Sequence, residues 1–293
     1  MTPRSVANIL PAHAISMGGT TIHQPLPTQR IDQIDPFLLL HHFGPFKVAP
    51  GERDPLDVGP HPHRGFEPVT LLYSGGLRHR DSRGNTGYLR DGDVQWMTSG
   101  RGIIHSERAS DEFVSRGGIM EGIQLWVNLA PEHKMVQPRY QDIKAADIPV
   151  VPLADGASMR IVAGHWGESV RGPAKVYGDL LVWQLDLPAD TVVELPVPTD
   201  YNLAVYLLDG GIVSSTGFPY GARTMLHYRN DGEGVRLRGE APLTRVLLLG
   251  GRPIGAPVVS HGPYVMNSQT EIMEAMRDYG MGKMGFYIDE EPQ

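Results

Sequence analysis

The chain has 293 residues, a net charge of −7 and no cysteine. Disulfides and thiolate ligands are therefore excluded, and any metal must rest on His, Asp or Glu. The acidic balance argues against a protein that grips phosphate backbones, so no nucleic-acid partner is expected.

In chain order, residues 1–7 hold no sustained apolar run, and no targeting segment is expected there. Strand-like stretches with turn signals between them follow at 69–73, 87–90, 94–97 and 119–127. The turns include Ser74-Gly75-Gly76 and Asp91-Gly92-Asp93, which suit tight connections between short strands. Several prolines in 130–152 mark a connection between two domains. Strand patterns resume at 160–164, 180–187, 203–208 and 244–249. Asp209-Gly210-Gly211 follows an apolar strand as Ser74-Gly75-Gly76 does, which points to an internal duplication. The apolar run at 246–249 is far too short to span a bilayer, so no membrane partner is expected. One helix is predicted, with Asn267 or Ser268 as N-cap and Gly280 at its end. Its apolar face would be Ile272, Met273, Ala275, Met276 and Tyr279. The whole pattern predicts an all-β sandwich or barrel protein.

Two motifs carry the chemistry. His61 and His63 are one residue apart, and so are His105 and Glu107. On a strand, i and i+2 share a face. Two such pairs on neighbouring strands would aim three imidazoles and a carboxylate at one point. That donor set suits a divalent transition metal and leaves coordination positions open. Glu67 is a further candidate, either as a fifth ligand or as a hydrogen-bond partner of a ligand imidazole or of the Arg64 region. His41, His42 and His79 are expected to be solvent-facing or hydrogen-bonded strand histidines. Gly75, Gly76, Gly100 and Gly102 belong to tight barrel turns, because no helix follows them to make a phosphate site.

The stretches from Pro60 to Glu67 and from Gly92 to Glu107, with the Gly262-Pro263-Tyr264-Val265-Met266-Asn267 run, resemble the pirin family of the cupin superfamily. The resemblance implies two cupin (jelly-roll) barrels in tandem with a C-terminal helix. It divides the chain at 1–135, the metal-binding barrel, and 136–293, the metal-free barrel with the helix. It implies one metal, Fe(II) first, with Mn, Co, Ni, Cu or Zn also compatible with the donors, held by His61, His63, His105 and Glu107. The activity implied is quercetin 2,3-dioxygenase-type ring cleavage of a small aromatic or enolic substrate with O2. Glu107, if it swings off the metal, and after it Glu67, would take the substrate's proton. The alternative implied by the same family is a redox-responsive regulator acting through a protein partner. A cytoplasmic monomer is expected.

Overall fold

A computed structural model describes residues 1–17, 20–52 and 56–288 of the chain. The architecture is mostly antiparallel β, in two compact units. One comprises residues 15–22, 42–145 and 255–293, and the other residues 1–14, 23–41 and 146–254. Among the described residues no helix is long and apolar enough to cross a membrane.

The first unit is built on two sheets. A four-stranded sheet has the order Val58–His63, Ile103–Ala109, Gly76–Asp81, Thr86–Arg90. A seven-stranded sheet has Arg139–Ile143 at one edge, then Val94–Thr98, Phe66–Ser74, Gly118–Asn128 and three further strands. The second unit repeats this plan. Its four-stranded sheet runs Val192–Pro196, Gly234–Gly239, Gly211–Ser214, Pro219–Gly221. Its seven-stranded sheet is centred on Asn202–Leu207, Thr244–Gly251 and Leu180–Leu187. The matching strand orders agree with the duplication predicted from the two Gly-Gly turns. Alternate residues of these strands, such as Leu181, Trp183, Leu185, Val235, Leu237 and Leu248, fill the second unit's core.

A single cut at 135/136 differs from this division at both ends. The strand Val6–Pro11 pairs with Thr224–Tyr228, so the N-terminal residues belong to the second unit. The terminal helix Gln269–Gly280 packs Ile272 and Ala275 against Ile104, Tyr264 and Met266 of the first. The stretch 130–152 is also more than a connection. It contributes the edge strand Arg139–Ile143, paired with Val94–Thr98, and the short strand Val150–Pro152.

The helix starts where predicted. Ser268 accepts from the Glu271 amide, and the Glu271 carboxylate accepts from the Asn267 amide, a reciprocal cap. Its buried face differs from the expected one: Ile272, Ala275 and Asp278 are buried, whereas Met273, Met276 and Tyr279 are exposed. A polar contact decides this, because Asp278 pairs with the buried Arg64.

Candidate metal centre

His61 and His63 stand on the strand Val58–His63, and His105 and Glu107 on its antiparallel neighbour Ile103–Ala109. His105 lies opposite His61 and Ile103 opposite His63; the register then shifts between His105 and Glu107. This places three imidazoles together, with ring centroids 4.4–4.9 Å apart. His61 Nδ1 lies 2.8 Å from the Gly59 carbonyl oxygen and His63 Nδ1 lies 3.3 Å from that of Pro263. A carbonyl only accepts, so both Nδ1 atoms carry the proton, and both Nε2 atoms present lone pairs. Those two Nε2 atoms face each other at 3.0 Å. His105 Nε2 is buried with no hydrogen-bond partner among the described residues.

Burial, reinforced by neighbouring His61, holds His63 well below the ordinary histidine range. Burial and the nearby His61, His63 and His79 do the same to His105. Neutral imidazoles with converging, unshared lone pairs are disfavoured unless a cation lies among them. Two nitrogens each about 2.0–2.1 Å from one ion, at octahedral to tetrahedral angles, stand roughly 2.9–3.4 Å apart. The His61–His63 spacing fits that range, so these residues fit a divalent transition metal.

Glu107 is held differently. Its carboxylate accepts from Thr70 Oγ1 at 2.8 Å, from Gln95 Nε2, and from Gln124 Nε2 at 3.0 Å. Gln124 Nε2 also donates to Thr70 Oγ1, which closes a small network. The four expected ligands therefore do not form one group. His61, His63 and His105 form one, and Glu107 falls in a second with His79 and the shared His105.

His79 and Asp81 extend the centre and were not singled out as site residues. They lie on Gly76–Asp81, the other neighbour of the His105 strand, with Asp81 opposite His105 and His79 opposite Glu107. His79 Nε2 is 3.2 Å from Asp81 Oδ2, and His79 Nδ1 is 3.4 Å from His105 Nδ1. With the His105 proton on Nδ1, the chain runs from Asp81 through His79 to His105 and leaves His105 Nε2 as a donor atom. Such outer partners fix the tautomer and ring orientation of a ligand. Burial would raise the Asp81 carboxyl, but hydrogen bonds from His79, Asn85 and Arg83 outweigh it and hold it below its usual range. His79 also stacks on Tyr140, with ring centroids 4.4 Å apart. The signal was present in the sequence: His79 and Asp81 have the same i, i+2 spacing as the ligand pairs.

Glu67 is placed elsewhere. Thr70, three residues on along the same strand, faces Glu107, and so does Gln95 on the next strand. Glu67 and Thr98, each three residues from those two, turn to the opposite face of the sheet, where Thr98 donates to Glu67. Burial pushes the Glu67 carboxyl up to about 7, against the opposing influence of Thr98 and Arg139. The expectation that Glu67 supports a ligand imidazole or takes a substrate proton does not survive this parity. His41 and His42 are hydrogen-bonded strand residues, the first to Gln24 and the second to Glu121.

The segment after the ligands is clamped. Arg64 donates from both terminal nitrogens to Asp278 Oδ2, at 3.1 Å each. The buried Lys134 ammonium donates to the Gly65 and Val265 carbonyls and to Asn128 Oδ1. Gly65 has a φ of +89°, and a Cβ there would lie 2.0 Å from the Val265 carbonyl oxygen, so only glycine fits. Phe66 and Trp126 flank His63, at 5.0 and 5.4 Å between ring centroids, and give the centre an aromatic wall.

Comparison with known proteins finds two family models along the chain. The family model described as Pirin matches residues 19–127, and that described as Pirin C-terminal cupin domain matches residues 182–285. A Pseudomonas aeruginosa protein provisionally named a quercetin 2,3-dioxygenase is 42% identical, over 85% of this chain and 86% of its own length. A pirin-like protein of Solanum lycopersicum is 38% identical over 97% of this chain and 94% of its own. A crystal structure of quercetin 2,3-dioxygenase from Acinetobacter baumannii superposes with a TM-score of 0.91 at 35% identity, covering 98% of this chain and 100% of that one.

Proposed function

This chain belongs to the pirin family, and on that footing we propose that it is a metal-dependent dioxygenase cleaving a flavonol or similar enolic ring with O2. The observation that carries the reading is the convergence of buried, lone-pair-bearing imidazoles at His61, His63 and His105. These three residues, with Glu107 beside them, would hold one divalent transition metal, Fe(II) being the first expectation. Bound there, the metal would supply a Lewis-acidic, redox-capable position for the substrate's enolic oxygen and for O2.

The chain's own residues supply the rest. Among the described residues Glu107 Oε1 accepts two hydrogen bonds and Oε2 one, so the remaining Oε2 lone pair can take the substrate's hydroxyl proton when the carboxylate is off the metal. Thr70, Gln95 and Gln124 keep that carboxylate aimed. Asp81 and His79 hold the His105 ring in orientation. Trp126, partly exposed and packed on the buried Phe66, offers an apolar ring against which a planar substrate can be positioned. In a flavonol cleavage both atoms of O2 enter the product, and the excised ring carbon leaves as carbon monoxide.

The test is oxygen uptake by the iron-loaded protein with quercetin, beside His61→Ala, with metal content determined on both. Turnover that disappears together with the metal supports the proposal. Full turnover in a metal-free variant, or none in the fully metallated protein, overturns it.

A further inference from the structure

The strand Ile103–Ala109 has two faces. His105 and Glu107 occupy the one turned to the histidine cluster, so Ile104 and Ser106 occupy the other. The strand pairs with Gly76–Asp81 in unbroken register from His105 to Ala109. The shift against Val58–His63 therefore leaves its own alternation intact.

The outer face is covered by the chain that follows the terminal helix. Residues 281–288 continue without helix or strand. Met284 is fully buried in one apolar cluster with Ile104, and Tyr287, partly buried, packs against that cluster. The approach is close. A Cβ on Gly102 would stand 2.6 Å from Met284 Cγ, and a Cβ on Gly285, whose φ is +92°, would stand 2.9 Å from Ser82 Oγ.

Two hydroxyl contacts fasten the segment. Ser82 Oγ accepts from the Ile104 amide at 3.0 Å and donates to the Met284 carbonyl at 2.7 Å. The Tyr287 hydroxyl lies 2.6 Å from Ser106 Oγ. Both fastening points are chain neighbours of the centre. Ser82 follows Asp81, which stands opposite His105, and Ser106 is the single residue between His105 and Glu107. Phe286 and Ile288, on either side of Tyr287, are exposed. What places Tyr287 is therefore its own ring packing and hydroxyl, not burial of its neighbours. Consecutive Cα atoms are held 3.8 Å apart, so a displaced Ser106 carries both flanking residues with it. Ligand atoms need to be held to about 0.5 Å.

We propose that residues 281–288 brace the metal centre from behind, with Tyr287 as a positioning residue whose hydroxyl, through Ser106, fixes the strand segment that aims His105 and Glu107. The proposal rests on the metal centre described above and not on its substrate.

The test is Co(II) titration of the full-length protein, with the visible bands of the bound ion reporting its ligand geometry. Tyr287→Phe keeps the ring and removes the hydroxyl. It should weaken Co(II) binding roughly 2–10-fold and alter the bands, with urea unfolding still cooperative. Ser106→Ala should do the same, and the double variant should bind no more weakly than either single one, because both remove one interaction. Should Tyr287→Phe fold poorly, Gly285→Ala, which drives the segment off Ser82, must still weaken binding. Unchanged affinity and bands in Tyr287→Phe, additive losses in the double variant, or an equal loss in Ile288→Ala each overturn the brace and leave the metal centre standing. A wild-type protein that takes up no Co(II) overturns the metal centre, and the brace with it.

Discussion

The two barrels share a strand order and differ in what their corresponding strands carry. Val58–His63 brings His61 and His63, where Val192–Pro196 brings Val193 and Leu195 to its core. Ile103–Ala109 brings His105 and Glu107, where Gly234–Gly239 brings Val235 and Leu237, both fully buried. The scaffold is indifferent to the exchange. Inward positions can hold a polar, metal-competent cluster or a hydrophobic core, and the function follows from that choice and not from the fold.

The strongest way to break this contrast is at its centre. His105→Ala should lower metal affinity by more than about 100-fold, beyond what loss of an outer partner costs, and should abolish turnover. Metal titration and oxygen uptake check it, and retained metal would refute the assigned role. In the other barrel, Leu248→Ala removes a fully buried side chain and should cost about 2–5 kcal/mol of stability in urea unfolding. Metal content of the folded variant should stay at the wild-type level.

Glu67→Gln sharpens the comparison within one barrel by addressing the far face of the ligand-supporting sheet. The folded Glu67 carboxyl titrates near 7, against an ordinary value of 4.5. The folded state therefore binds the extra proton between these values, and this contribution to stability is lost as pH rises through them. The wild type should lose roughly 3 kcal/mol relative to the variant between pH 4.5 and pH 7. Unfolding at pH 5 and pH 8 reads this directly, and metal affinity should not change. The smallest effect is expected at the outer chain. Asp81→Asn should reduce metal affinity roughly 10–100-fold, with unfolding still cooperative. An unchanged affinity would detach Asp81 and His79 from the centre.

Much of the site was legible because it obeys a local rule. Alternation along a strand put His61 with His63, and the neighbouring strand supplied His105. The same rule, carried one strand further, would have found His79 and Asp81. They were passed over because Arg78 and Arg80 make that stretch look like a solvated mixed-charge edge. Glu67 was misplaced for the opposite reason. Its nearness to His63 in sequence suggested nearness in space, but the Arg64–Gly65 turn begins a new strand with its own parity. The pairing of Val6–Pro11 with Thr224–Tyr228 and the burial of Asp278 on Arg64 join residues about two hundred positions apart. No local pattern encodes such contacts.

The His63–Pro263 and Arg64–Asp278 contacts carry a consequence in time. The four predicted ligands are all made by residue 107, but the carbonyl that orients His63 and the carboxylate that clamps Arg64 come 200 and 214 positions after their partners. At roughly 5–20 residues per second, a ribosome needs about 10–40 s to reach them. For that interval the nascent chain carries the imidazoles without their final restraints, so if the centre takes a metal, tight capture is expected only after Pro263 and Asp278 have been made.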